Sequence, residues 1–194
     1  MHLSLHLKSK LTPIFFQLLG HGFSVNVQTG CSVKNLLCGQ LGIHEDYLAQ
    51  RVQTTFLNGK VVDDQNSAIV NDGSTLALSG AMPGLVGAIL RSGGFYAAMR
   101  EQISHEKTQP SIRENTGNIT LKLLNLVVKE LGPTFLERGI WINGQTLGEF
   151  LKRYADEIRA GCISGELDGK PADIDSLQKT DLNKGPVFLR IISQ

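Results

Sequence analysis

Charge of one sign is missing from this chain. Its 194 residues carry 19 basic and 18 acidic side chains with no long run of either, whereas a nucleic-acid partner normally needs a concentrated basic stripe. No stretch approaches the roughly 18 uninterrupted apolar residues of a membrane span. Met1 to Lys8 alternate polar and apolar side chains and so lack the continuous apolar run of a secretion signal. Cysteine is scarce: Cys31, Cys38 and Cys162 are odd in number and form no C-x-x-C pair. That argues for a reducing interior rather than a disulfide framework. These absences lead us to expect a soluble cytoplasmic protein with neither nucleic acid nor membrane as its partner.

Chemistry-bearing clusters are lacking too. His2, His6, His21, His44 and His105 are scattered, and no pair has the helical spacing and nearby carboxylate of a zinc site or a Ser-His-Asp arrangement. A plant-type iron–sulfur centre needs a C-x₄-C-x₂-C…C set, so Cys31 and Cys38, seven apart, read as small buried hydrophobes instead. Asp63, Asp64 and Asp72 follow a hairpin or sit in a turn, where aspartate is ordinary. Gly84-x-x-Gly87 with Gly93-Gly94 lacks the preceding strand and the spacing of a dinucleotide fingerprint. We therefore expect no cofactor, no metal and no catalytic set. An enzyme whose site lies between two domains is a third-ranked reading with no residues behind it.

What the chain does have is a repeat. Gly30-Cys31-Ser32-Val33-Lys34-Asn35-Leu36-Leu37 aligns without a gap on Gly144-Gln145-Thr146-Leu147-Gly148-Glu149-Phe150-Leu151. Leu57-Asn58-Gly59-Lys60 returns as Leu167-Asp168-Gly169-Lys170, and Asn71-Asp72-Gly73 returns as Asn183-Lys184-Gly185. Each of the last pair precedes an apolar strand, Leu76-Ala77-Leu78 or Val187 to Ile191. Repetition of this kind points to duplicated supersecondary units, expected at 1–83 and 118–194. A unit this small buries only about 60% of its unfolded surface, so each copy is expected to lean on a neighbour.

Local chemistry places the elements. Leu3, Leu5 and Leu7 alternate with Ser4, His6 and Lys8, and Ile119, Leu121 and Leu123 alternate with Thr120 and Lys122, the period of half-buried strands. Ser32 is expected to cap a helix with Val33, Leu36 and Leu37 on one face. Thr146 and Glu149 are expected to form a capping box, with Leu147, Phe150, Leu151 and Tyr154 as the buried stripe. Asn58-Gly59 and Asp168-Gly169 predict tight hairpins. The order ββαββ in each copy predicts an α+β roll.

Between the copies runs Gly84 to Gly117, apolar and glycine-rich at first, then polar, with Ser111 to Glu114 as a minor element. Leu85, Val86, Ile89 and Leu90 form one apolar stripe of a short helix, extended by Phe95, Tyr96 and Met99. So short a helix needs a surface to pack on. We expect the segment to be buried between the copies or against another chain. Trp141 alternates with Ile140 and Ile142 and is either a lid on the core or a further contact.

These residues resemble the β-grasp (ubiquitin-like) sulfur-carrier family, MoaD/ThiS-like, in tandem duplication. The resemblance rests on Gly30-x-Ser32-Val33-x-x-Leu36-Leu37, Leu57-Asn58-Gly59, Asp72-Gly73 and Leu76-Ala77-Leu78. It covers nearly all of residues 2 to 84 and more loosely 118 to 194, and implies two β-grasp rolls joined by a partly helical apolar connector. Activity in that family resides in a free C-terminal Gly-Gly. Here the position falls near Gly84-Leu85, where the second glycine is missing, and the second copy stops at Gln194 before its tail. The resemblance without the diglycine thus implies a non-enzymatic protein-binding or scaffold module. The apolar stripe and Trp141 supply the residues expected to engage a protein partner or a second copy: Leu85, Val86, Ile89, Leu90, Phe95, Tyr96, Met99 and Trp141. The alternative is a carrier for thiamine- or molybdopterin-type biosynthesis, freed by proteolysis after Gly93-Gly94 and served by an adenylating enzyme. Phe95-Tyr96, expected to be packed, weighs against that cut.

Overall fold

The computed structural model describes residues 1–96, 99–100, 104–105 and 115–194, so the minor element expected at Ser111 to Glu114 lies outside the described residues. The chain opens with β1 (His2–Leu7), a 3₁₀ segment (Ser9–Phe15), α1 (Phe16–His21), β2 (Phe23–Thr29) and the short β3 (Cys31–Ser32). A π-helical turn (Asn35–Gln40) then leads to α2 (Glu45–Arg51), β4 (Thr54–Leu57), β5 (Lys60–Val61), β6 (Ile69–Val70), β7 (Thr75–Ser79) and α3 (Gly84–Leu90). After the connector come β8 (Asn115–Leu124), α4 (Leu126–Arg138), β9 (Ile140–Asn143), α5 (Gly144–Arg153) and α6 (Ala155–Gly161). The chain finishes with β10 (Cys162–Leu167), β11 (Lys170–Pro171), α7 (Ile174–Lys179) and β12 (Pro186–Ser193). The class is mixed α+β, with parallel and antiparallel strand pairs.

Contacts divide the chain into two compact units, Met1–Phe23 with Lys129–Gln194, and Ser24–Val128. This division differs from boundaries at 83/84 and 117/118, and strand pairing gives the reason. In the first unit the strand order is β11-β10-β1-β12-β9. β1 there lies antiparallel to β10 and parallel to β12, with Leu3 opposite Leu167 and Leu189. In the second unit the order is β2-β8-β7-β4-β5, with β3 and β6 as a separate pair. β8 runs parallel to β7, Leu76 facing Leu121 and Leu78 facing Leu123. The strand that opens each repeat therefore pairs with the strand that closes the other repeat. Residues 1–83 and 118–194 do not each form a separate ββαββ roll.

The local chemistry behaves as the patterns dictate. Leu3, Leu5, Leu7, Ile119, Leu121 and Leu123 are all buried, because alternate side chains of a strand point to one face. Asn58 and Gly59 have φ of 51° and 80°, Asp168 and Gly169 of 49° and 76°, so both hairpins take the positive-φ turn that Asn-Gly and Asp-Gly favour. Short sheet edges are closed by β5 and β11. Ser104 bridges Val61 on β5, and β11 ends in Pro171, which has no N–H to offer a further strand.

The helix starts are less alike than their sequences. Ser32 Oγ accepts from Asn35 N–H at 3.2 Å, and Val33, Leu36 and Leu37 are buried, as expected. In the second repeat, however, the cap is Asn143: its Oδ1 accepts from Thr146 N–H at 3.1 Å, and α5 begins at Gly144. Thr146 lies inside the helix, and Glu149 accepts from Gln145 Nε2 at 3.0 Å rather than reaching back to the backbone. The aligned glycines differ in role as well. Gly30 has φ of 80°, whereas Gly144 is tucked against the turn at 182–185. Asn143→Ala is expected to lower stability by about 1 kcal/mol and Thr146→Ala by about a third of that, read as denaturant midpoints. Equal losses would return the cap to Thr146. Asp173 caps α7 with Ser176, and those hydrogen bonds hold its carboxyl below the usual carboxylate range.

Candidate interaction surface

The connector is seated on the second unit by backbone and hydroxyl bonds. α3 has no side-chain cap, and its seven residues are too few to persist alone in water. Thr54 Oγ1 donates to Leu90 O at 3.2 Å, Ser92 N–H to Gln53 O at 2.9 Å, and Ser92 Oγ to Val62 O at 3.0 Å. Gly93 N–H adds a bond to Asp63 Oδ1 at 3.2 Å. Gly87 lies so close to the preceding chain that a Cβ there would sit 1.9 Å from Met82 O. Farther along, Arg100 is buried and places Nη2 2.5 Å from Asp63 Oδ1 and 3.2 Å from Arg91 O. Its Nε and Nη1 have no hydrogen-bond partner among the described residues. The sequence singles out Asp63, but nothing local announces its partner so far along the chain.

The face of this segment is apolar and open. Leu85 and Val86 are 66% and 67% exposed, Phe95 93% and Met99 72%. Tyr96 is also exposed and stands edge-on to Phe95, ring centroids 5.2 Å apart, while Ile89 and Leu90 are half-buried. The exposure of Phe95 and Tyr96 corrects the expectation that they are packed. The segment is held by its backbone and hydroxyl bonds rather than by its stripe, most of which stays in water. Single exposed apolar residues are ordinary, whereas five in one short stretch have the character of an interface.

Gly93 and Gly94 form a turn and not an extended tail. Gly93 has φ of 63°, and Gly94 N–H donates to Arg91 O at 3.1 Å. Trp141 belongs to the first unit. Its half-buried ring lies 5.5 Å from His2 and 5.3 Å from Phe188, because the register sets these three on adjacent strands of one sheet face.

The remaining candidates have structural partners. Asp64 Oδ1 accepts from Asn66 N–H at 3.0 Å and Asp72 Oδ1 from Asn118 N–H at 2.7 Å. His21 Nδ1 lies 2.8 Å from Gln17 O, and His44 caps α2 through Asp46 N–H. Cys31 is buried but Cys38 is only half-buried, so the reading of these two as buried hydrophobes holds for the first; Cys162 is half-buried as well. Burial raises the thiol pKa of Cys38, and Glu45 adds to the effect, the opposite of what activates a nucleophile. Among the described residues no cluster of three His, Cys, Asp or Glu is placed to hold a metal. None of their helices is long and apolar enough to cross a membrane.

Two pockets are polar. One in the second unit, about 430 Å³, is lined by Lys34, Glu45, Gln53, Asp63 and Arg91 among others. Lys34 Nζ is 3.0 Å from Glu45 there, and that hydrogen bond raises the lysine pKa. One of about 390 Å³ in the first unit lies between α5 and α7, with Glu149, Lys152 and Lys179 on its walls. In both, opposite charges share the lining. Compared with protein-family models, curated proteins and solved structures, the chain matches none.

Proposed function

We propose that this protein is a non-enzymatic binding module that engages a protein partner through α3 and the turn after it. The observation carrying the proposal is the exposure of Leu85, Val86, Phe95 and Met99 on a segment held in place by its own hydrogen bonds. A surface already ordered loses less conformational freedom on binding than a loose one. A second copy suits it first. Residues 81–90 carry no charge, so a twofold axis beside α3 can bring two such helices together without burying like charges. The repeat, its helix start in residues 30–37 and its paired hairpin turns support descent from the tandem β-grasp sulfur-carrier lineage.

The carrier alternative has less support. Gly93-Gly94 is bonded into a turn, and a cut there leaves β8, the partner of β7, on the other fragment. The test of the module is sedimentation of wild type against Leu85→Asp with Phe95→Asp. Wild type is expected to dimerise, and the variant to sediment as a monomer with unchanged circular dichroism, because both changes fall on exposed side chains. A wild type that remains monomeric at roughly 100 µM, well above the dissociation constant of a stable dimer, overturns the second-copy proposal.

A further inference from the structure

Each compact unit is assembled from both sides of the connector. β1 is an interior strand of the first unit, bonded to β10 on one side and β12 on the other, and its three leucines are buried. Further bonds tie the same two stretches: Asp168 N–H to His2 O at 2.8 Å, Phe188 N–H to Met1 O at 2.9 Å, and Gln194 N–H to Leu7 O at 3.0 Å. The second unit is built in the same way. β8 comes from beyond the connector and lies between β2 and β7, with Leu121 and Leu123 buried against Leu76 and Leu78. Asn118 adds two bonds to the 72–73 turn, its N–H to Asp72 Oδ1 at 2.7 Å and its carbonyl from Gly73 N–H at 2.9 Å.

We infer that the connector is a tether whose opening between residues 105 and 115 leaves a nicked two-chain protein rather than two free halves. Withdrawing either half removes an interior strand from both units at once, exposing buried leucines and leaving two sheets with unpaired N–H and C=O rows. Proteolysis in this stretch therefore leaves the fold assembled and does not liberate a one-roll fragment. The inference rests on strand pairing and stands whether or not the module proposal holds.

The test uses residues 1–105, tagged, co-expressed with 106–194, both carrying Cys31→Ser, Cys38→Ser and Cys162→Ser. Ser4→Cys and Arg190→Cys, neighbours across β1 and β12, are added to the two pieces. We expect the halves to elute together in equal amounts, and a short thiol cross-linker to join them into one band at the mass of the intact chain, 21.1 kDa. The full chain cut after folding, at a protease site inserted between Gln109 and Pro110, should behave identically, so the result does not hang on the halves finding each other. Cut halves that separate on a native column overturn the inference. A full chain whose two cysteines fail to link overturns the strand pairing beneath it.

Discussion

Gly144→Ala is expected to unfold the first unit, whereas Gly148→Ala, one turn along the same helix, is expected to stabilise it. A Cβ at position 144 would lie 1.8 Å from Leu182 O and 2.6 Å from Gly185 O, both backbone atoms. A flexible side chain can swing away from such an intrusion, but the turn at 182–185 leads directly into β12 and cannot move without dislodging Val187 and Leu189 from the core. Overpacking of a close-packed interior costs about 1–3 kcal/mol even where side chains can adjust, and here they cannot. Position 148 has nothing within 4 Å of an added Cβ, so alanine there gains the helix propensity that glycine lacks, about 0.5–1 kcal/mol. Thermal melts followed at 222 nm should show Gly144→Ala losing a cooperative transition and Gly148→Ala rising by about 2–4 °C. A folded Gly144→Ala with an unchanged midpoint would remove the close approach from the account of α5.

The second large effect separates the two members of an ion pair. Arg100 is fully buried as a side chain, while Asp63 retains 43% exposure. Asp63→Ala leaves the guanidinium without its countercharge, and breaking a buried pair from one side costs about 3–5 kcal/mol. Its effect is local: Gly93 N–H and Arg100 lose their shared acceptor, so amide exchange at Gly93 should quicken by at least about 100-fold. Arg100→Met should instead be near neutral or mildly stabilising. It removes the charge along with Nε and Nη1, which have no partner among the described residues, and methionine fills a similar volume. Hydrogen exchange at Gly93 in both variants reads the difference. Equal acceleration in the two would mean that the pair, and not the buried charge, holds the connector.

Strands and hairpins set by short-range chemistry were legible in the residues. The alternation of Leu3 to Leu7 and of Ile119 to Leu123 marks strands, and Asn58-Gly59 and Asp168-Gly169 mark hairpins, because two or three adjacent residues suffice to set those conformations. The buried face of α5 was legible for the same reason, since Leu147, Phe150 and Leu151 follow the helical period. The candidate surface was half legible: the apolar stripe of α3 is plain in the sequence, but its exposure depends on how much of it the unit beneath can cover. Asn143 displaced Thr146 as the cap because the turn at 182–185 lets α5 start at Gly144, a contact between residues nearly forty positions apart. The partner of Arg100 was hidden likewise. Above all, β1 and β8 present the same alternating leucines to any parallel neighbour, so no local signal can assign one to β12 and the other to β7. That choice belongs to the packed chain, in which a strand joins whichever sheet buries its apolar face and completes its hydrogen bonds on both sides.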